Sequence, residues 1–310
     1  MLTHTILAAL GPISLGIFLG WISGKTGFIK KEYADGLAAF VVKIALPLAL
    51  FLAAMTSSPK DILDLNYALA MGIGLILTYI FGYVYGRVIK KYDTPNATMQ
   101  ALAVSFPDMA YCGPPVLIAA VGSSGLIAVV IGNLIYTVII LPLALAILQS
   151  GTAQSSPLKA LGRAVIQPLV VLPILGAVLA VMDIRLPEIA NQSINELGET
   201  AGGVALFFLG LFISRSEFHL DREILFNTFV KNILQAAIIL GVGVLLGLRG
   251  ELLASAFLIG VIPTATAVPA LAVGNRAYED KSASTVVIST LFSLISIPAG
   301  LAVVSTFYPG

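Results

Sequence analysis

About ten long apolar stretches follow one another along this chain of 310 residues, separated by short polar segments. They lie at 4–23, 34–55, 66–89, 96–119, 125–149, 164–181, 190–213, 224–247, 251–274 and 283–306. Because a helix needs about 20 apolar residues to cross the hydrocarbon core of a bilayer, each stretch is predicted to be a transmembrane helix. Charged residues make up only 11% of the chain, against about 25% in an ordinary soluble domain. We therefore predict an all-α membrane protein with ten transmembrane helices.

The sequence also excludes several other classes of protein. Runs such as Leu75-Ile76-Leu77 lack the alternation of apolar and polar residues found in the strands of a membrane barrel. A net charge of +1 excludes a nucleic-acid binder that works by neutralising phosphates. The single cysteine, Cys112, matches no metal-binding spacing, and the chain lacks the GxSxG and HExxH motifs. We expect no enzyme and no cofactor, apart from a coupling ion for which a proton is favoured over sodium.

The basic residues of the loops predict the orientation in the membrane. Three of them, Lys60, Arg185 and Arg249, fall on one side. The other side collects Lys25, Lys30, Lys31, Arg87, Lys90, Lys91, Lys159, Arg163, Arg215, Arg222, Arg276 and Lys281. Basic loops stay in the cytoplasm, so both termini are predicted to lie outside and the link between the fifth and sixth spans inside. The first span has no basic region before it and is predicted to be a retained helix rather than a signal peptide.

The prolines indicate an internal repeat. An offset of 156 positions places Pro12 on Pro168, Pro107 on Pro263 and Pro142 on Pro298. The same offset carries the first, fourth and fifth spans onto the sixth, ninth and tenth. We predict two five-helix repeats, residues 1–155 and 156–310. Because five is odd, the second repeat enters the membrane inverted, an arrangement from which many secondary transporters are built.

Two helix breakers lie in the middle of the fourth span and two in the middle of the ninth. They are Pro107 with Pro114 and Pro263 with Pro269. Proline removes a backbone donor and clashes with the preceding turn, so carbonyls near 102–104 and 258–260 are expected to lose their helical partners. Such backbone must face protein or a watery cavity. Broken helices at corresponding places in two repeats point to a transporter's binding site, and kinks without a ligand are the alternative.

Two charged side chains lie deep in the predicted spans. Asp108 follows the first breaking proline, and Thr264 holds the corresponding place after Pro263. A carboxylate in mid-membrane is a functional candidate by default, although it would also serve to cap the second half of its helix. Lys43 lies one turn before Pro47. It would bind a carboxylate substrate, alternate between substrate and Asp108, or neutralise Asp108 as a structural pair. Lys231, by contrast, is predicted to reach the headgroups by snorkelling.

Further candidates for the binding region lie beside these breaks. Asn133 and Tyr136 share one face of the fifth span, where they line a cavity or form bonds between helices. The other candidates within the broken spans are Tyr111, Gly113 and Thr266.

With these features located, the chain resembles the auxin efflux carrier family, which includes plant PIN carriers and bacterial malonate or malate permeases. The resemblance covers nearly the whole length. It rests on Ala45-Leu-Pro-Leu-Ala-Leu-Phe51, Phe106-Pro-Asp108, Gly113-Pro-Pro115 and Ile262-Pro-Thr264. Many family members carry asparagine where this chain has Asp108. The short link from Gln149 to Arg163 favours a prokaryotic permease in the cell membrane.

The resemblance implies a fold similar to that of sodium/bile-acid symporters and NhaA-type antiporters, in which the broken fourth and ninth helices cross. It also implies a homodimer and a scaffold of spans one, two, six and seven, against which the other spans move like an elevator. We therefore expect a secondary active transporter of a small mono- or dicarboxylate, auxin- or malonate-like, with Asp108 carrying a coupling proton and Lys43 as its charge partner. The alternatives are a sodium-coupled symporter, a cation/proton antiporter of the same fold, or a passive channel.

Overall fold

The computed structural model describes residues 2–30, 33–56, 65–109, 112–122, 125–150, 166–214 and 220–308. All regular secondary structure in these ranges is helical, apart from one isolated antiparallel bridge between Pro107 and Thr264. The helices are α1 (Leu2–Lys25), α2 (Tyr33–Met55), α3 (Leu65–Ile89), α4 (Thr94–Ser105), α5 (Gly113–Val121), α6 (125–150), α7 (Pro168–Val181), α8 (Glu188–Ile213), α9 (Arg222–Leu245), α10 (Gly250–Val261), α11 (Ala267–Asn275) and α12 (Glu279–Phe307).

Five helical segments in the described ranges are long and apolar enough to cross a membrane: α2, α3, α9, α12 and Ile131–Leu148 within α6. Shorter apolar helices include Gly250–Val261 and Val170–Val181. The all-α prediction is confirmed for the described residues. The inverted repeat of ten spans stays a prediction, and its proposed boundary at 155 and 156 lies outside the described residues.

The fourth and ninth predicted spans are each divided into two short helices. At 12 residues, α4 rises only about 18 Å. Proline disfavours helical backbone in the residue before it, and Phe106, which precedes Pro107, is extended at φ −91° and ψ 101°. Ile262, which precedes Pro263, is likewise extended at φ −64° and ψ 157°. Each break therefore begins one residue before its first proline, as the sequence predicts.

The helices pack in two groups. In one group, α1 packs along α8, and α2 packs against both α7 and α8. Close contact between α1 and α8 needs Gly20, since a Cβ there would collide with the carbonyl of Phe207. In the other group, α9 packs against α3 and α10, α4 packs against α3, and α12 packs against α9, α10 and α11. Both breaks belong to this second group.

In the part of the chain that the structure describes, four helices each contain one π turn, in which an N–H bonds to the carbonyl five residues before it instead of four. The turns lie at Val41–Ala45 in α2, Tyr85–Ile89 in α3, Tyr136–Ile140 in α6 and Val230–Leu234 in α9. A π turn changes the direction in which the following side chains point and is common at functional sites. The turns of α2 and α9 contain Lys43 and Lys231.

Candidate functional site

The two breaks meet each other through their backbones. The N–H of Asp108 donates to the carbonyl oxygen of Pro263 at 2.8 Å, and the N–H of Ala265 donates to that of Phe106 at 2.8 Å. These bonds flank the bridge between Pro107 and Thr264. Two extended segments more than 150 residues apart in the sequence are thus held as a short antiparallel pair.

Side chains satisfy the open end of α4. The hydroxyl of Thr264 donates to the carbonyl oxygen of Ala103 at 2.8 Å. The amide of Gln235, on α9, donates to the carbonyl oxygen of Ser105 at 2.8 Å. All four residues are buried. The carbonyls that proline deprives of backbone donors are therefore bonded by side chains from the second half of the chain.

The open end of α10 is held by two consecutive residues of α9. The Lys231 ammonium donates to the carbonyl oxygens of Ile262 at 2.6 Å and Gly260 at 3.2 Å. The Asn232 amide donates to the carbonyl oxygen of Val261 at 3.3 Å. Lys231 has no exposed surface. The prediction that it snorkels is wrong, because its side chain is fully buried and its ammonium is bonded to the end of α10.

Asp108 lies beside this cluster and is only 2% exposed. Its charge interacts electrostatically with the Lys231 ammonium and with the Cys112 thiol. Its backbone carbonyl accepts the N–H groups of Cys112 at 3.2 Å and Gly113 at 2.9 Å, just where α5 begins. A carboxylate and an ammonium therefore share the point at which the two broken helices meet.

A small cavity opens between the two breaks and α2. It is lined by Leu46, Leu50, Phe106, Pro107, Asp108, Met109, Asn133, Ala265, Thr266 and Ala267. Its volume of about 20 Å³ has room for about one water molecule. The cavity brings residues of both helix groups together, since α2 supplies Leu46 and Leu50 while the breaks supply most of the rest.

Four of the predicted site residues, Pro107, Asp108, Asn133 and Thr266, line this cavity. Tyr136 lies behind it, with its ring stacked on Phe106 at 3.9 Å between centroids and its hydroxyl 3.0 Å from that of Ser105.

The other predicted residues support the breaks or lie apart from them. Pro263 and Thr264 form the second break. The backbone N–H of Thr264 donates to the hydroxyl of Ser289 at 3.0 Å. Gly113 and Pro114 begin α5, Pro269 lies buried in α11, and Pro47 lies buried in α2. Tyr111 lies outside the described residues.

Lys43 does not join this cluster. Its side chain is exposed, and the described residues include no ion pair between Lys43 and Asp108. The cation near Asp108 is Lys231. Lys43 lies three residues before Leu46, which lines the cavity.

Sequence reasoning missed the contribution of α9. Lys231 and Gln235 are four residues apart and so share one helix face, while Asn232 reaches both α10 and α12 through Val261 and Ser296. Three polar side chains within five residues of an apolar span were the available signal. The prediction that Lys231 lies near a membrane surface left this signal unused.

A second buried charge cluster surrounds Glu223, near the start of α9. Its carboxylate accepts hydrogen bonds from Lys281 at 2.6 Å, Tyr278 at 2.6 Å and Tyr92 at 2.8 Å, and it pairs with Lys90 at 3.2 Å. Burial lowers the pKa of the Lys90 ammonium, but the hydrogen bond and charge of Glu223 outweigh it, so the pKa is raised above its usual value. This cluster joins the ends of α3, α9 and α12.

Sequence comparison places nearly the whole chain among membrane transport proteins. The sequence model of the family described as "Membrane transport protein" matches residues 5–300. The chain is 27% identical over 295 residues to "Uncharacterized transporter YfdV" of Escherichia coli (strain K12), covering 93% of this chain and 94% of that protein.

Two further relatives match over similar lengths. "Putative malonate transporter" of Rhizobium meliloti (strain 1021) is 24% identical over 294 residues, which cover 91% of this chain and 90% of the relative. "Uncharacterized transporter" of Methanothermobacter thermautotrophicus is 23% identical over 299 residues, 96% of each chain.

Proposed function

The chain belongs to the membrane transport protein family, the group of the auxin efflux carriers, and from that premise we propose that it is a secondary active transporter of a small organic anion, a mono- or dicarboxylate. The observation that carries this proposal is that two buried ionisable side chains, Asp108 and Lys231, lie where two broken helices meet beside a cavity. Such ionisable groups inside a membrane are costly and mark transport sites.

The architecture we propose has ten transmembrane helices in two inverted repeats, residues 1–155 and 156–310. In this arrangement α1, α2, α7 and α8 form the scaffold, and the remaining helices form the moving domain. The packing of the helices in these two groups supports the division. Both termini lie on the outer side of the cell membrane. The scaffold helices provide the contact surface of a homodimer.

The proposed substrate class rests on charge. The helices α5 and α11 begin next to the breaks, and the partial positive charge of a helix N-terminus attracts anions. Lys231, when protonated, adds a positive charge beside the second break, and the exposed Lys43 of α2 adds a second. One relative bears the name of a malonate transporter, which makes malonate the first compound to test. Because the cavity holds about one water molecule, α2 and the breaks must separate to admit it.

Asp108 is proposed to carry the coupling proton. When Asp108 is charged, it balances the Lys231 ammonium. When Asp108 is protonated, the pair has a net charge of +1, which one substrate carboxylate neutralises. A neutral loaded site avoids the cost of about 2.3 kcal/mol per charge per 100 mV of opposing membrane potential. A proton and a monocarboxylate would therefore cross together.

A binding experiment tests the substrate class. A ligand that binds only the folded state stabilises it, by about 2.7 kcal/mol at a concentration 100 times its Kd. Thermal unfolding of the purified protein should therefore shift upward with malonate and related carboxylates, and not with the uncharged dimethyl ester of malonate. An equal response to malonate and its ester, or none to any mono- or dicarboxylate, would contradict the proposal.

A further inference from the structure

We propose that the Lys231 ammonium occupies a cation site formed by the end of α10, so that this transporter needs no dissolved metal cation for its site to be complete. The inference deepens the proposed function, because it concerns the ions that act at the same site. It assigns to Lys231 a role beyond balancing the charge of the substrate: a cation attached to the chain that takes the place of a dissolved one.

The carbonyls at the end of α10 make this place suitable for a cation. The last turn of a helix carries a partial negative charge on carbonyls that lack intrahelical donors. In transporters with broken helices, such carbonyls coordinate a coupling cation. Here the carbonyl oxygens of Gly260 and Ile262 converge on one ammonium at 3.2 and 2.6 Å.

The surroundings exclude an ordinary solvated lysine. Lys231 has no exposed surface, so the free energy lost with its hydration must be recovered from these carbonyls and from Asp108. Ring-like sets of carbonyls replace the hydration shell of alkali ions in the same way. The ammonium therefore meets the chemical requirements that a bound sodium ion would meet at this position.

The helix that carries Lys231, α9, also packs closely against α10. A Cβ at Gly260 would lie 2.5 Å from the Cα of Ala236, so the backbones of α9 and α10 touch at this level. The neighbouring Asn232 donates to Val261 and accepts from Ser289 at 2.7 Å. The cation thus belongs to the same rigid group as the second break and stays with it in any movement of that group.

A purely structural lysine is the competing explanation, and the response to sodium separates the two. If the ammonium fills a cation site, its removal leaves carbonyls that sodium can occupy. If Lys231 only fills space and caps a helix, its removal creates a defect that sodium does not repair. Thermal unfolding of purified protein in sodium chloride and in choline chloride at equal ionic strength measures this difference, and it requires no substrate.

For the wild type we expect the same unfolding midpoint in both salts. For Lys231→Ala we expect a midpoint several degrees lower in choline, with a saturable rise in sodium. Lys231→Ser, which leaves a similar space, should behave in the same way if Lys231→Ala does not fold. The matched control is Lys43→Ala, which removes the exposed lysine of α2 and should respond equally to both salts.

Three results would overturn the inference: saturable stabilisation of the wild type by sodium, equal midpoints of the folded Lys231 variants in both salts, or the same sodium response in Lys43→Ala. A protein that unfolds as expected here but binds no carboxylate would contradict the proposed function alone. A protein that binds malonate but whose Lys231 variants ignore sodium would contradict this inference alone.

Discussion

The backbone N–H of Asp108 donates a hydrogen bond of 2.8 Å to the carbonyl oxygen of Pro263. This bond joins the single acidic residue of the first break directly to the second break. The charge that we assign to proton coupling is therefore fixed, through one backbone bond, to the segment whose preceding carbonyls hold Lys231. The proposed coupling role therefore predicts that a change in protonation at Asp108 affects both broken helices.

Asp108→Asn should remove the dependence of transport on pH. Wild-type uptake of a monocarboxylate into proteoliposomes is expected to rise as the external pH falls, because the carried proton neutralises Asp108. Asparagine resembles the protonated acid at every pH, so the profile should become flat. We also expect the rate at the wild-type optimum to fall roughly 10-fold, equivalent to about 1.4 kcal/mol.

Among the residues that the structure describes, Lys231 and Cys112 are titratable groups that interact electrostatically with Asp108. Cys112→Ser should keep the wild-type profile, which excludes the thiol as the source of the pH response. Asp183→Asn is a control for the substitution itself, since the Asp183 side chain is 89% exposed. An unaltered pH profile with full activity in Asp108→Asn would remove the coupling role.

Glu223→Gln should destabilise the protein without abolishing the binding of malonate. Its carboxylate accepts bonds from Lys281, Tyr278 and Tyr92, and a neutral amide loses the two ion pairs. We expect a loss of about 1–3 kcal/mol, moderated because both lysines are partly exposed and regain water. Thermal unfolding measures it. The exposed Glu196→Gln should change the midpoint little, and equal effects of the two substitutions would refute the structural role of Glu223.

Gly260→Ala should destabilise the contact between α9 and α10. A Cβ at Gly260 would lie 2.5 Å from the Cα and 2.8 Å from the nitrogen of Ala236, and overpacking of this kind costs about 1–3 kcal/mol. Gly241 lies in α9, and a Cβ there would meet nothing within 4 Å. Gly241→Ala should raise helix stability by about 0.5–1 kcal/mol. Opposite shifts of the unfolding midpoint are expected, and a neutral Gly260→Ala would show that the two backbones do not touch.

The sequence was sufficient where the determinant of structure is local. Pro107 and Pro263 each force extended backbone on the residue before them, so both helix breaks could be placed to within a residue. The apolar stretches indicated helices for a similar reason, since length and hydropathy act within one segment. Asp108 was found because a charge stands out in an apolar run.

The sequence was insufficient where the direction of a side chain decides. Lys231 and Lys43 are both single lysines within apolar spans and both lie in π turns, so only the packing of the helices separates the buried one from the exposed one. The capping of Ala103 by Thr264 joins positions 161 residues apart. No local pattern encodes such a contact, because it depends on how the two halves of the chain cross.

Counterflow in proteoliposomes tests the central claim most directly. Vesicles that contain the purified protein are loaded with unlabelled malonate and diluted into a trace of labelled malonate. A carrier that exposes one site alternately to each side should accumulate the label transiently, with a rate that saturates as external malonate increases. Vesicles without internal malonate should not accumulate it. Failure of counterflow for malonate and for every other mono- and dicarboxylate tested, or a flux that never saturates, would contradict the account.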